Sequence, residues 1–259
     1  MARFRFASLG SGSSGNALVV QVDDTVVLLD CGLGVRDAGD RLARLGIDAR
    51  SLAAILVTHE HDDHASGVYA LAKRYELPVH LTYGTWRALF AEPDARPDPL
   101  TRLIDSHSPF VVDDLEILPF PVPHDAREPV QFVFSDGDRR LGVLTDTGAP
   151  TRHVADMLSG CDALVIECNH DPQMLARGPY PRWLKARIAG DYGHLANEQS
   201  AAIVAAIDPA RLKHVVAAHL SERNNAPGIA QAALASALGC TADWIGVADA
   251  QTGFDWRDL

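Results

Sequence analysis

Ile55-Leu56-Val57-Thr58-His59-Glu60-His61-Asp62-Asp63-His64 joins a short apolar run to four side chains that can hold metal ions. With Ala53 and Ala54, the apolar part reads as a buried strand over 53–57, and the polar part falls between that strand and a helix over 64–75. Alternation decides what the donors can do. Side chains two apart in extended chain share a face, so His59 and His61 can converge on one ion, while the following turn sends Asp63 and His64 toward a second. Imidazole and carboxylate donors suit zinc or manganese, with iron also possible. A solvated polar turn is the plainer explanation, but chance should produce this four-donor pattern on the order of once in a thousand chains of this composition.

Working outward, 259 residues with 47% apolar content can bury the core of one large α/β domain spanning 1–259. Strands are expected over 3–9, 17–22, 25–29, 115–120, 130–135 and 141–144, with buried strands over 163–167 and 214–218. Helices are expected over 197–207 and 229–238, with Asn197 as an N-cap. The pattern divides into two similar halves, which predicts layered α/β packing. Ser135-Asp136-Gly137-Asp138 has hairpin-turn chemistry, and the Pro- and Asp-rich stretch 92–99 reads as an exposed loop.

The first residues run straight into a strand without a charged leader or cleavage site, and no apolar stretch approaches the roughly 20 residues of a membrane helix. Cys31, Cys161, Cys168 and Cys240 are scattered and form no C-x-x-C pair, so a soluble protein of the reducing cytoplasm is expected. A formal charge of -11 argues against binding duplex nucleic acid through bulk electrostatics. Any contact with nucleic acid must be local, although two divalent ions would add about four positive charges at the site itself.

The His59-x-His61-x-Asp63-His64 run is similar to the signature of the metallo-β-lactamase superfamily, and the rest of the chain follows suit. Asp30, closing the strand before Cys31-Gly32, resembles the superfamily's early strand-end aspartate, which supports the ligand loop from behind. His124 in Val122-Pro123-His124, Asp146 in Leu144-Thr145-Asp146-Thr147-Gly148, and His219 after the strand over 214–218 match the remaining motifs. The resemblance implies an αββα sandwich: two mixed β-sheets packed face to face with helices outside. It also implies two ions, one held by His59, His61 and His124, the other by Asp63, His64 and His219, with Asp146 bridging and a hydroxide as nucleophile. His80, His107, His153 and His214 fit no motif.

Which bond is cut must be read outside the metal shell, because one fold hosts many hydrolases. Glu167 at a strand end and His194 in Gly193-His194-Leu195-Ala196-Asn197 resemble the Glu and His of ribonuclease Z-like phosphodiesterases. That assigns His194 as general acid to the leaving oxygen and Glu167 as its orienting partner; Asp63, a ligand, is also expected in the catalytic set. Across nearly the whole chain, the quoted motifs, Ser11-Gly12-Ser13-Ser14-Gly15-Asn16 and Asn224-Asn225 among them, resemble the YycJ/WalJ-like group, described as 5′-to-3′ DNA exonucleases. Cys168 and Ala196 depart from the group's serines.

Ser13, Ser14 and Asn16 offer hydroxyls and amides to a phosphate, although a tight turn explains the same residues. Over 177–187, four basic residues including Arg182 and Lys185 interleave with Tyr180 and Trp183, as single-stranded nucleic acid requires. An amphipathic helix with a packed Trp would look the same. The expected activity is therefore a two-metal phosphodiesterase acting on single-stranded or end-exposed DNA. A glyoxalase-like thioesterase or lactonase is the alternative, and a flavodiiron-like reductase is disfavoured by His61 standing where such enzymes carry a carboxylate.

Overall fold

Each half of the chain builds one sheet. In the computed structural model, which describes residues 3–90, 92 and 94–259, the first half forms β1 (Phe4–Gly10), β2 (Ala17–Val22), β3 (Thr25–Leu29), β4 (Ala54–Leu56), β5 (Val79–Thr82) and β6 (Thr101–Ile104). The second half forms β7 (Phe110–Val112), β8 (Leu115–Pro121), β9 (Val130–Ser135), β10 (Arg140–Leu144), β11 (Ala163–Glu167), β12 (His214–Ala218) and β13 (Gly246–Val247). β14 (Phe254–Asp258) returns to the first sheet and pairs antiparallel with β1. The orders are β14-β1-β2-β3-β4-β5-β6 and β13-β12-β11-β10-β9-β8-β7. Both are mixed: antiparallel from β1 to β3 and from β7 to β10, parallel from β3 to β6 and from β10 to β13.

The helices are α1 (Val35–Arg44), α2 (Asp62–Ala65), α3 (Val68–Tyr75), α4 (Tyr83–Leu89), α5 (Arg152–Leu158), α6 (Pro172–Arg177), α7 (Arg182–Ile188), α8 (Asn197–Ala206) and α9 (Pro227–Leu238). Three apolar clusters record the layers. Phe4, Phe6, Val20 and Leu56 meet Phe132, Phe134, Val143 and Val216 between the sheets. Leu28, Ile55 and Val79 pack under α1 and α3, and Leu164, Ile166 and Val215 pack under α5, α8 and α9. This is the expected αββα sandwich, and strands buried on both faces, such as β3 and β11, are the continuous apolar runs of the sequence.

The boundaries of β2, β3, β9, β11 and β12 fall where the patterning put them. Two expectations need correction. The helix over 64–75 is two helices, because at Gly67 the backbone is pressed against another segment: a Cβ there would lie 1.9 Å from the Leu33 carbonyl oxygen, and the Gly67 N–H donates to Cys31 O (2.8 Å). Asn197 is the first helical residue rather than the cap. Its side chain exchanges hydrogen bonds with Asn225 (2.9 Å each way), while Gln199 Oε1 accepts from the Ala196 N–H (2.8 Å). The hairpin turn between β9 and β10 is held by Asp136, whose Oδ1 accepts from Asp138 N and Arg139 N. Of the 92–99 loop, residues 92 and 94–99 contain neither helix nor strand, and Pro93 lies outside the described residues. No helix among the described residues is long and apolar enough to cross a membrane.

Candidate metal centre

The C-terminal ends of the parallel strands gather the polar side chains, the usual place for a site in an open α/β sheet. Asp30 follows β3, the His59–His64 loop follows β4, Asp146 follows β10, Glu167 ends β11 and His219 follows β12. Asp30, Asp146 and His219 share a left-handed backbone, with φ of 59°, 51° and 52°. A residue other than glycine rarely adopts this conformation, and such residues concentrate at functional sites. Here it turns each side chain back over its strand end. His219 is braced through its N–H, which donates to Ser11 Oγ (2.8 Å).

His59 Nε2 lies 3.0 Å from His61 Nδ1, which lies 3.2 Å from His124 Nε2. Neighbouring groups fix which nitrogens are free. Thr58 Oγ1 donates to Asp30 Oδ2 (2.8 Å) and therefore accepts from His59 Nδ1 (3.0 Å), leaving a lone pair on His59 Nε2. His124 Nδ1 donates to Gly193 O (3.0 Å), with the same result at its Nε2. Two inward lone pairs thus face His61 Nδ1, and the three nitrogens suit a cation between them. Bonds of about 2.0–2.1 Å at tetrahedral angles would separate ligand atoms by about 3.3 Å, close to the observed spacing.

The second donor set is Asp63, His64, Asp146 and His219. His64 Nδ1 donates to Asp30 Oδ2 (2.8 Å), which leaves Nε2 facing Asp146 Oδ2 (2.9 Å) and Asp63 Oδ2 (3.6 Å). His219 reaches Asp146 Oδ2 (2.9 Å) through Nδ1 and Asp63 Oδ2 (3.5 Å) through Nε2. Asp146 thus stands between the two histidines, and with His59 and His64 it forms a further compact donor group. The residues fit divalent metal.

Burial dominates the electrostatics. It pushes His59 well below its usual value and lowers His124, so these imidazoles are neutral donors. Burial would also lower His64 and His219, but the carboxylates around them together outweigh it: Asp146 and Asp30 hold His64 well above its ordinary value, and Asp146, Asp63 and Glu167 push His219 up to about 10. Asp63 is drawn down to about 2 against its own burial by the hydrogen bond from His219 and the charge of His64. Without metal, protons on His64 and His219 offset the carboxylates; a bound cation displaces them.

Beside this set, His194 Nδ1 donates to Glu167 Oε1 (2.7 Å) and lies 3.4 Å from Asp146 Oδ1. Glu167 is fully buried, and its Oε2 accepts from the N–H groups of Thr147 (3.0 Å) and Leu195 (3.2 Å). Burial opposes protonation of His194, but the Glu167 charge and hydrogen bond raise its pKa.

The Ser-Gly loop divides its labour. Ser13 and Ser14 are exposed, whereas buried Asn16 sits against the donors, its Nδ2 3.0 Å from His64 Nε2 and 3.2 Å from Asp63 Oδ2. α7, joined to the site through Arg187 and Asp125, buries none of its residues; Arg182 is exposed, and Lys185 Nζ donates to Ala176 O (2.7 Å) at the end of α6. Asp125 and Tyr192 escaped sequence reasoning, and Arg187, one of the four basic residues over 177–187, is tied to a carboxylate. Asp125 Oδ1 lies 3.7 Å from His61 Nε2, Arg187 Nε holds Asp125 Oδ2 (2.5 Å), and Tyr192 O accepts from Asp125 N (2.9 Å). A tyrosine between Gly190-Asp191 and Gly193, just ahead of His194, is the signal that could have marked the last.

Fold and donor set together define a class, and comparison with known proteins agrees. The Beta-lactamase superfamily domain model matches residues 25–219. The chain belongs to the metallo-β-lactamase superfamily and is a metal-dependent hydrolase. Within it the chain is YycJ-like. It is 35% identical over 233 residues to Exodeoxyribonuclease YycJ of Bacillus anthracis (90% of this chain, 88% of the relative). It is 32% identical over 243 residues to Exodeoxyribonuclease WalJ of Streptococcus pneumoniae (91% and 88%). The metallo-β-lactamase fold protein YhfI from Bacillus subtilis superposes with a TM-score of 0.74 at 15% identity, covering 98% of this chain and 99% of that one, which bears on the fold alone.

Proposed function

We propose that this chain is a two-metal phosphodiesterase that degrades DNA from an end, with 5′-to-3′ polarity. The observation that carries the reading is the Glu167–His194 hydrogen bond of 2.7 Å beside Asp146, a proton donor at a metal centre that attack on a carbonyl does not need. The exodeoxyribonuclease names of the two relatives support it. His59, His61 and His124 would hold one divalent ion, Asp63, His64 and His219 the other, with Asp146 shared; zinc or manganese is proposed, and iron suits the same donors. When bound, the ions supply an activated water and neutralise charge on the phosphate.

The chain's own residues do the rest. Glu167 holds Nδ1 of His194, so Nε2 is left to protonate the leaving oxygen. The Asp63 side chain, 23% exposed where Asp146 is 2%, is the more open of the two carboxylates and would take the proton of the attacking water. Asp30 fixes His64 from behind. Ser13, Ser14 and Asn16 line one side of the phosphate, and Arg182 and Lys185 track the strand on the other. The buried free thiols Cys31, Cys161 and Cys168 support a reducing cytoplasm as the working compartment.

The test is degradation of 5′-labelled and 3′-labelled single-stranded DNA by metal-loaded protein, with Asp146→Ala as control and thioester and lactone substrates in parallel. Stepwise loss from the 5′ end, cut by a factor on the order of 10³ or more in the control, is expected. Intact DNA beside rapid acyl hydrolysis would refute the phosphodiesterase reading.

A further inference from the structure

Tyr192 has no packing task. The residue is 65% exposed, and its side chain makes no hydrogen bond or ring contact among the described residues. The backbone beneath it is clamped from every side. Gly193 N donates to Gly190 O (2.8 Å), His194 N to Ile188 O (2.8 Å) and Asp125 N to Tyr192 O (2.9 Å), while Gly193 O takes the His124 Nδ1 proton. A Cβ on Gly193 would meet Arg187 O at 2.1 Å, and one on Gly148, two residues after Asp146, would meet Asp191 C at 2.3 Å. Only glycines allow the turn to press this close to the metal centre. A large exposed ring therefore stands on a fixed support, one residue from the carbonyl that orients His124 and two from His194.

The surroundings say what the ring would meet. Residues 177–192 carry four cations and one acid, Asp191, in a chain of net charge -11; Arg187 is paired with Asp125, Arg182 is exposed, and Trp183 on the same segment is 68% exposed. Cationic groups beside unburied aromatics suit a strand with anionic backbone and flat bases. We infer that Tyr192 is the stacking surface for one nucleobase, that of the nucleotide whose sugar carries the leaving oxygen. The assignment of side rests on the phosphodiesterase reading, in which His194 delivers its proton to that oxygen. The fixed backbone matters, because only the two side-chain torsions of Tyr192 remain to be ordered when a base stacks on it.

The test is a cycle on metal-loaded protein. Tyr192→Ala and Tyr192→Phe are compared with the native chain on a single-stranded oligonucleotide, and on versions with an abasic site on either side of the scissile phosphate. Tyr192→Ala should lower kcat/KM roughly tenfold on the intact strand, while Tyr192→Phe stays within about twofold. Removing the base on the leaving-oxygen side should cost the native chain a similar factor and cost Tyr192→Ala nothing more; removing the base on the other side should affect both chains alike. Unchanged kcat/KM in Tyr192→Ala would overturn the stacking role while leaving the phosphodiesterase intact, as would fully additive losses or a Tyr192→Phe as poor as Tyr192→Ala. A native protein that hydrolyses no oligonucleotide at all would remove the phosphodiesterase reading and this one together.

Discussion

His64, His124, Asp146 and His219 are each at most 4% exposed and are locked to neighbours by hydrogen bonds through Asp30, Gly193 and one another, whereas α7, beside them at the rim, buries none of its seven residues. The floor places atoms; the rim offers surface. Reaction geometry tolerates errors of only about 0.5 Å, so its supports must be dry and cross-linked. A flexible polymer is better met by groups that remain in solvent and act together. If this contrast is right, a single substitution in the floor should cost orders of magnitude in turnover, and one in the rim a small factor in affinity.

The largest effect in which metal content survives should come from His194, which touches the floor without serving as a ligand in the proposed scheme. His194→Ala should lower kcat on DNA by about 10²–10⁴-fold with two ions still bound. On a p-nitrophenyl phosphodiester, whose leaving group departs without a proton, the loss should shrink markedly. Equal losses on both substrates, or loss of metal from the variant, would show that His194 belongs to the floor as a support or ligand.

Asp30 sharpens the contrast from behind. Its carboxylate takes hydrogen bonds from Thr58 N, Thr58 Oγ1 and His64 Nδ1, all at 2.8 Å, and reaches no other candidate ligand. Asp30→Asn should weaken metal binding by about 10–100-fold in a chelator competition. An unchanged affinity would mean that the backbone alone aims His64.

Much of the floor was legible in the sequence because its donors stand at the ends of strands that are themselves continuous apolar runs: β4 before His59, β10 before Asp146, β12 before His219. Local pattern and chemistry coincide there. The rim was legible only as composition, since α6 buries a single residue and α7 none, leaving no apolar stripe to read. The split between α2 and α3 was hidden because its cause, the Leu33 carbonyl against Gly67, comes from a distant part of the chain. The roles of Asp125, Arg187 and Tyr192 were hidden for the same reason: each depends on a contact of more than 60 residues' separation.

The floor should also betray itself in the metal-free protein. His219 is pushed up to about 10 because Asp146, Asp63 and Glu167 together overcome the opposing burial. A group whose folded pKa lies above its unfolded value, about 6.5 for histidine, stabilises fully below that value and loses its contribution as pH rises through the folded pKa. The melting temperature of the metal-free chain should therefore fall between about pH 6.5 and 10, by roughly 5 °C or more. His219→Gln should flatten this decline. Apparent metal affinity should move the other way and rise with pH, because the ion displaces protons. A metal-free melting temperature that climbs over this window would contradict the proton-filled site.

The smallest expected effect separates two cations of the rim. Arg182 is exposed, whereas Lys185 spends its ammonium on Ala176 O at 2.7 Å, closing α6 onto α7. A phosphate contact to single-stranded DNA contributes about 0.7 to the slope of log affinity against log salt. Arg182→Ala should reduce that slope by about this amount and weaken binding a few-fold at low salt, with turnover at saturation little changed. Lys185→Ala should reduce the slope by less, because recruiting Lys185 to a phosphate requires breaking its bond to α6. Equal slopes for the two variants would mean that Lys185 leaves Ala176 when the strand binds, making the rim more adaptable than its free structure suggests. An unchanged slope in both would place the strand elsewhere and remove α7 from recognition.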